Sequence, residues 1–140
     1  MNSLKKSVLF VLSAVFVASL SLVPAHAQGI SADVPFTFTL GKATMPAGSY
    51  RVERSGSFFV LSSLADGTTK YELLVPGGQA QEREGKPYLV FNRYGSETFL
   101  TRVVFSSTEN YNLPRTSREK EIMARLSSGD EVAVLIQPLR

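Results

Sequence analysis

The side chains that could carry chemistry in this 140-residue chain are mainly carboxylates. Cysteine is absent and the single histidine is His26, which excludes a cysteine nucleophile, a thiolate metal site and a disulfide framework. Glycoside hydrolysis can use two carboxyl groups, and three close pairs are present: Glu82 with Glu84, Glu119 with Glu121, and Asp130 with Glu131. We expect these pairs to lie in a loop, a solvated helix and a turn, so we predict no catalytic pair. Their spacing does not match a calcium loop, and we predict no metal and no cofactor.

The amino-terminal residues have the pattern of an export signal. Lys5 and Lys6 precede the apolar run Val8–Val23, which is shorter than the roughly 20 residues that span a membrane as a helix. Ala25 and Ala27 then place small residues at a cleavage site before Gln28. We therefore predict that residues 1–27 are a cleaved signal peptide. Residues 28–140 are then a single β domain that is extracytoplasmic, either periplasmic or secreted, with no membrane span after cleavage.

Removal of the signal also changes the charge. The formal net charge of the full chain is +3, and the loss of Lys5 and Lys6 lowers it to +1, while the loss of His26 leaves no histidine. The side chain best suited to proton transfer near neutral pH is then missing. A nearly neutral domain without a basic cluster is also a poor candidate for nucleic-acid binding, so we predict no nucleic-acid partner.

Residues 28–140 show the alternation and turn chemistry of short strands. A period of two indicates half-buried strands, and it predicts strands over Val34–Leu40, around Tyr50 and Val52, and over Thr69–Val75. The apolar run Phe58–Leu61 after a turn indicates another strand. Pro35 cannot donate a ladder hydrogen bond, so the first of these begins there or lies at an edge. Ser55-Gly56 and Asp66-Gly67 predict tight turns, the second a two-residue hairpin turn with positive φ. We expect connections over 41–48 and 79–86.

The second half predicts a hairpin, a helix and a last strand. Strands over 88–93 and 98–105 flank the loop 94–97 and carry large apolar residues on both faces, so both faces need a cover. A candidate cover is a helix over Thr116–Leu126, whose capping box joins Thr116 and Glu119 and whose apolar stripe consists of Ile122, Met123 and Leu126. Val132–Ile136 is a continuous apolar run typical of a central strand. The predicted fold is mainly β: an antiparallel β-sandwich or small partly open β-barrel of about seven strands with one short helix.

Aromatic side chains near loops are the candidate binding residues. Tyr88, Tyr94 and Tyr111 could stack on a sugar or anchor a partner, and Arg93 could belong to the same patch. The competing interpretation is that each ring is buried and only its hydroxyl is solvated.

Several phrases of the sequence resemble an uncharacterised family of small exported bacterial proteins. They are Val34-Pro35-Phe36-Thr37-Phe38 with Gly41, Pro46-Ala47-Gly48-Ser49-Tyr50-Arg51-Val52, Leu89-Val90-Phe91-Asn92-Arg93-Tyr94-Gly95 with Phe99-Leu100, and Leu113-Pro114 before a charged helix. The resemblance covers nearly all of residues 28–140. It implies an extracytoplasmic bacterial protein that is not an enzyme, and it supplies no cofactor and no site residue.

Two functions remain open from the sequence. The first is a non-catalytic β domain that binds through its surface, or is structural, in the cell envelope or extracellular space; its partner would be an envelope protein or a glycan, and the 88–105 hairpin could join two copies. The alternative is a lipocalin-like carrier of a small apolar ligand. An interior pocket among Phe36, Phe38, Tyr71, Phe99 and Phe105 would favour the carrier. A hydrolase that uses carboxylates alone is a third hypothesis.

Overall fold

A computed structural model describes residues 29–81, 83, 85–126 and 128–139. The predicted signal peptide and its cleavage residues Ala25, Ala27 and Gln28 lie outside these residues. The described part of the chain forms eleven strands and one helix. They are β1 (Ile30–Val34), β2 (Phe38–Leu40), β3 (Ala43–Met45), β4 (Gly48–Ser55), β5 (Phe58–Ser63), β6 (Thr69–Leu73), β7 (Val75–Pro76), β8 (Tyr88–Tyr94), β9 (Glu97–Val104), β10 (Asn110–Asn112), α1 (Ser117–Arg125) and β11 (Asp130–Pro138).

The strands form one strongly curled, partly open barrel. The order across the sheet is β3-β2-β9-β8-β11-β1-β4-β5-β6, and β10 pairs with both β9 and β7. All pairs are antiparallel except the contact of β2 with β9 at Thr39 and Phe99. The predicted mainly β, antiparallel fold with one short helix is confirmed. More strands are present than the predicted seven because β2, β3, β7 and β10 are only two or three residues long.

Aromatic rings fill the centre of the barrel. Phe91 of β8 meets Phe36 with ring centroids 5.0 Å apart and Phe38 with centroids 5.2 Å apart, both edge to face. Phe38 also meets Tyr50 of β4 at 5.5 Å. These are favourable aromatic geometries, and the aliphatic residues of the core surround them.

The segment from Val34 to Met45 differs from the predicted strand and connection. The strand β1 ends at Val34, and β2 begins only at Phe38. After Pro35 the chain crosses to another part of the sheet: β1 lies between β11 and β4, whereas β2 lies beside β9. The expected connection over 41–48 contains β3, whose Met45 is buried. Three residues are too few for an alternating pattern to be recognised.

The turn between β5 and β6 is longer than predicted. Gly67 has φ +75°, as the Asp-Gly signal requires. However, the Ser63 N–H donates to the Thr68 carbonyl at 2.8 Å and the Gly67 N–H donates to the Ser63 carbonyl at 2.9 Å. The prediction of a two-residue turn is therefore wrong, and a four-residue loop closes the hairpin. The Thr68 N–H also donates to Asp66 Oδ1 at 2.9 Å, which stabilises this loop locally.

The hairpin β8–β9 closes more tightly than predicted. Tyr94 pairs with Glu97, so the loop contains only Gly95 and Ser96. Gly95 has φ +62°, which suits a two-residue hairpin turn. The inner face of this hairpin is buried, and its outer face is covered at the two ends only. Its inner face, with Leu89 and Phe91, belongs to the main core.

Two separate covers lie on the outer face of the hairpin. At the turn end, Ile122 of α1 packs with Tyr94 and Phe99. At the other end, Ala80 packs against Tyr88, Val90 and Val104, with Ala133 of β11 beside them. The predicted helix supplies only the first of these covers.

The helix and the last strand follow the sequence closely. The Thr116 Oγ1 accepts the Glu119 N–H at 3.1 Å and caps α1. Leu126, expected in the apolar stripe, is exposed as the C-cap residue. The strand β11 pairs with β8 and β1, so its predicted central position is confirmed. Within the described ranges, no helix has the length and apolar character needed to cross a membrane.

Candidate binding surface

Between its two covers, the outer face of β8 and β9 is open. The opening is a groove of about 560 Å³ that we call the arginine groove. It is lined by Val75, Asn92, Thr101, Arg102, Asn112, Leu113, Pro114, Arg115 and Glu131. A groove of this volume is within the range of ligand-binding clefts.

Cross-strand pairs place the polar side chains of the groove. Arg102 of β9 lies directly opposite Asn112 of β10, and Asn92 of β8 lies opposite Glu131 of β11. The register of β8 and β9 shifts between Val90 and Phe91, and such a bulge re-aims nearby side chains. Four strands thus direct polar groups to one side of the sheet.

The floor of the groove is held by local hydrogen bonds. The Thr101 hydroxyl donates to the Val90 carbonyl at 3.2 Å. The Asn92 amide donates to the Tyr94 hydroxyl at 3.4 Å. These bonds leave part of the hydrogen-bonding capacity of each side chain available to a ligand.

The two arginines differ from the other charged groups of the groove. Glu131 has a distant ion pair with Arg83 at 4.0 Å. In contrast, Arg102 is half-buried, and its side chain forms no hydrogen bond or ion pair with another described residue. Arg115 is exposed, and its charge acts on the nearby carboxyl of Glu119. The groove therefore presents guanidinium donors suited to carboxylates.

Glu119 is the buried carboxyl that supports this region. Its side chain is only 2% exposed, and the Tyr94 hydroxyl donates to its Oε1 at 3.3 Å. Burial raises the pKa of the Glu119 carboxyl, while the charge of Arg115 and the bond from Tyr94 oppose that increase. The expectation of a solvated Glu119 is wrong, because α1 docks this side chain onto Tyr94.

The other carboxylates of the predicted pairs do not converge with Glu119. Glu121 is exposed and interacts with Arg118 at 3.4 Å and Arg125 at 4.0 Å. Asp130 and Glu131 are exposed successive residues of a strand, so their side chains leave on opposite faces. Glu82 and Glu84 lie outside the described residues. Within the described ranges, no cluster of three or more His, Cys, Asp or Glu could hold a metal ion.

The four residues predicted to bind lie at the two ends of β8 and on β10. Tyr88 and Tyr94 are buried at opposite ends of β8, under Ala80 and Ile122, and the Tyr88 hydroxyl donates to the Gln81 carbonyl at 2.6 Å. Both rings pack in buried clusters, and the Tyr94 hydroxyl likewise donates to a protein acceptor, the Glu119 carboxyl.

The remaining two predicted residues are half-buried: Arg93 lies on β8 beside Tyr94, and Tyr111 lies on β10. The guanidinium of Arg93 lies 5.0 Å from the centre of the Phe36 ring, and the guanidinium of Arg54 lies 5.0 Å from the centre of the Tyr111 ring. None of the four lines the arginine groove.

A second exposed feature lies at the edge strand β6. Its outer face carries Tyr71, which is 65% exposed, and Leu73, with Phe58 of β5 directly opposite Leu73. We call Phe58, Tyr71 and Leu73 the edge patch. Exposed apolar patches on small domains frequently mark interaction sites.

The sequence contained only a weak signal for either surface. In the sequence, Arg102 interrupts the apolar residues of β9. This interruption is the sign that a polar side chain on this strand faces away from the core. Its neighbours Asn112 and Arg115 lie on other elements, so their convergence depends on the fold.

Comparison with known proteins gives no relative: no family model, no curated protein and no solved structure matches this chain. The class of protein is therefore defined by the fold and the surfaces alone. The resemblance to exported bacterial proteins remains a prediction.

Proposed function

We propose that this protein is a non-catalytic exported domain that binds an acidic segment of a partner protein in the arginine groove. Its place of action would be the cell envelope or the extracellular space, following the predicted signal peptide. The observation that carries the proposal is Arg102, a half-buried residue whose guanidinium has no carboxylate partner in the described part of the chain.

Desolvation explains why an unpaired Arg102 favours an anionic ligand. A charged group that has lost part of its hydration is stabilised when a counter-charge or hydrogen-bond acceptor replaces the lost water. A guanidinium offers a planar fork of donors that matches a carboxylate. Arg115 adds a second positive charge and Asn112 adds an amide at the same groove.

The apolar border of the groove favours a protein segment as the ligand. Val75 lines the groove and is exposed, and Leu113 and Pro114 contribute further apolar surface. An acidic peptide with an aliphatic side chain beside its carboxylate would satisfy both parts of the groove.

The contents of the barrel favour surface binding over the lipocalin-like alternative. A carrier holds its ligand inside the barrel, where Phe36, Phe38 and Phe91 pack edge to face. Of the other residues on which that alternative depended, Phe99 packs under α1 and Tyr71 faces outward.

The test is a titration with a fluorescein-labelled peptide of alternating glutamate and leucine. We expect saturable binding that weakens with added salt, and an Arg102→Gln variant should bind at least tenfold more weakly. Arg51→Gln is the matched control, because Arg51 is exposed on β4 away from the groove. An oligogalacturonate arm tests whether an acidic glycan is bound instead. Equal peptide affinity in the Arg102 and Arg51 variants would overturn the proposal, as would binding of the glycan alone.

A further inference from the structure

The edge strand β6 has an unusual distribution of side chains. Its charged residues, Lys70 and Glu72, lie opposite fully buried residues of β5 and so point to the core side of the sheet. Its apolar residues, Tyr71 and Leu73, point to solvent. Within one copy of the chain, this strand therefore exposes its apolar side chains to water and turns its charged side chains away from it.

The backbone of β6 also has an open side. The Leu74 N–H donates to the Ser57 carbonyl, and the Ser63 N–H donates to the Thr68 carbonyl, both at 2.8 Å. These bonds determine which residues of β6 direct their backbone N–H and carbonyl groups toward β5, because that direction alternates from one residue to the next along a strand. No described strand pairs with the other side of β6. The N–H and carbonyl groups on that open side belong to Thr69, Tyr71 and Leu73.

The two charged side chains of β6 have no counter-charge within ion-pair distance among the described residues. Neither Lys70 nor Glu72 forms an ion pair with another described residue. The Glu72 side chain lies against Gly41, and burial raises the pKa of its carboxyl. A cation brought opposite Glu72 would offset this loss of hydration.

We propose that β6 pairs antiparallel with β6 of a second copy of this chain, centred on Tyr71. In this register Tyr71 faces its own symmetry mate, and Lys70 of each copy faces Glu72 of the other. Thr69 faces Leu73 of the second copy. The two sheets then continue as one sheet across a two-fold axis.

The charges select this register. Since the backbone groups of Tyr71 face the open edge, the central pair is hydrogen-bonded and the Lys70–Glu72 pairs take the intervening positions, where side chains approach most closely. A shift of two residues in one direction places Lys70 opposite Lys70, and a shift in the other places Glu72 opposite Glu72. Like charges directly opposite are destabilising.

The edge patch extends this contact on the outer face. The two Tyr71 side chains meet at the centre, and Leu73 with its neighbour Phe58 flanks them on each side. The 88–105 hairpin, expected from the sequence to join two copies, already has both edges paired, β8 with β11 and β9 with β2 and β10. The open edge of β6 takes that role in the proposal.

Charge exchange tests the pairing directly. In sedimentation equilibrium we expect a monomer–dimer equilibrium for the protein, weakened at least tenfold by Lys70→Glu or by Glu72→Lys. The double variant K70E/E72K restores the dimer, and an equimolar mixture of the two single variants forms a heterodimer more readily than either self-associates. Lys120→Glu, on the exposed side of α1, is the control. Thermal denaturation shows whether each variant is folded.

A single cysteine tests the register. The chain has no cysteine, so Tyr71→Cys gives a disulfide dimer on mild oxidation only if the two residues 71 face each other, at a Cα separation compatible with a disulfide. Lys120→Cys should remain monomeric under the same oxidation. A protein that is monomeric at every concentration would overturn the proposal, and so would a single charge variant, Lys70→Glu or Glu72→Lys, that dimerises as strongly as the wild type.

Discussion

The hydroxyl of Tyr94 donates a hydrogen bond to the Oε1 of Glu119 across 3.3 Å, between the end of β8 and the first turn of α1. Both residues are buried. The same carboxyl belongs to the residue whose backbone N–H is capped by Thr116. Glu119 therefore connects the start of the helix to the outer face of the barrel, beside the arginine groove.

This relationship predicts a pH-dependent stability of the docked helix. Because burial raises the pKa of Glu119, the folded state favours the protonated carboxyl. The protonated Glu119 carboxyl makes its full contribution to stability when the pH is below 4.5, the ordinary pKa of a glutamate. This contribution is lost as the pH rises through the higher pKa that Glu119 has in the folded state. In Glu119→Gln the side chain stays neutral and can still accept from Tyr94. We expect urea denaturation to show this variant gaining stability over the wild type as the pH rises from 4 to 8.

Two further variants control this experiment. Glu121→Gln removes one exposed negative charge from the same helix. Tyr94→Phe removes the hydrogen bond and should cost about 1 kcal/mol. A constant difference between Glu119→Gln and the wild type across this pH range would contradict the prediction.

The turn at Gly67 predicts a second measurable effect. Gly67 has φ +75°, and an added Cβ would meet no atom within 4 Å. Any cost of Gly67→Ala therefore comes from the backbone conformation alone, and we expect about 1 kcal/mol of lost stability in urea denaturation. Gly67→Asn should cost less, because asparagine tolerates this conformation.

A matched glycine without positive φ controls the Gly67 prediction. Gly48 begins β4, and an added Cβ there also meets nothing within 4 Å. Gly48→Ala should be neutral or slightly stabilising, by up to about 1 kcal/mol. An equal loss of stability in both alanine variants would show that the turn conformation is not the cause.

These examples show which parts of the fold follow from local sequence. The alternation of Tyr50 and Val52 predicts β4, and Thr116 with Glu119 predicts the helix start, because each pattern is complete within a few residues. In contrast, β3 and β10 have three residues each and no recognisable period. Their pairing depends on partners far away in the chain.

The candidate surfaces were less predictable for the same reason. Arg102 and Asn112 are ten residues apart in sequence and meet only because β9 and β10 pair. The burial of Glu119 depends on how α1 docks, which a helical pattern does not determine. The length of the Asp66-Gly67 turn was also mispredicted, since the dipeptide indicates positive φ but not the register of the flanking strands.

Gly129 gives a third stability prediction. An added Cβ at Gly129 would lie 2.5 Å from the Tyr94 ring and 3.0 Å from the Arg93 carbonyl oxygen. Tyr94 is fixed beneath Ile122, so the ring has little room to move. We expect Gly129→Ala to lower the free energy of unfolding by about 1 to 3 kcal/mol. Gly78→Ala, where the space is open, is the control, and an equal effect at both positions would contradict this packing argument.

The predicted export signal gives the last test. If Ala25 and Ala27 supply the small side chains of a cleavage site, protein collected outside the cytoplasm should begin at Gln28 by intact mass spectrometry. Replacing Ala27 by the bulky Phe should block cleavage, because the peptidase accepts only small residues there, and the uncleaved chain should stay with the membrane fraction. Ala47→Phe, beyond the predicted site, should leave the cleavage unchanged. Extracytoplasmic protein that still carries Met1 would contradict the signal assignment and with it the proposed place of action.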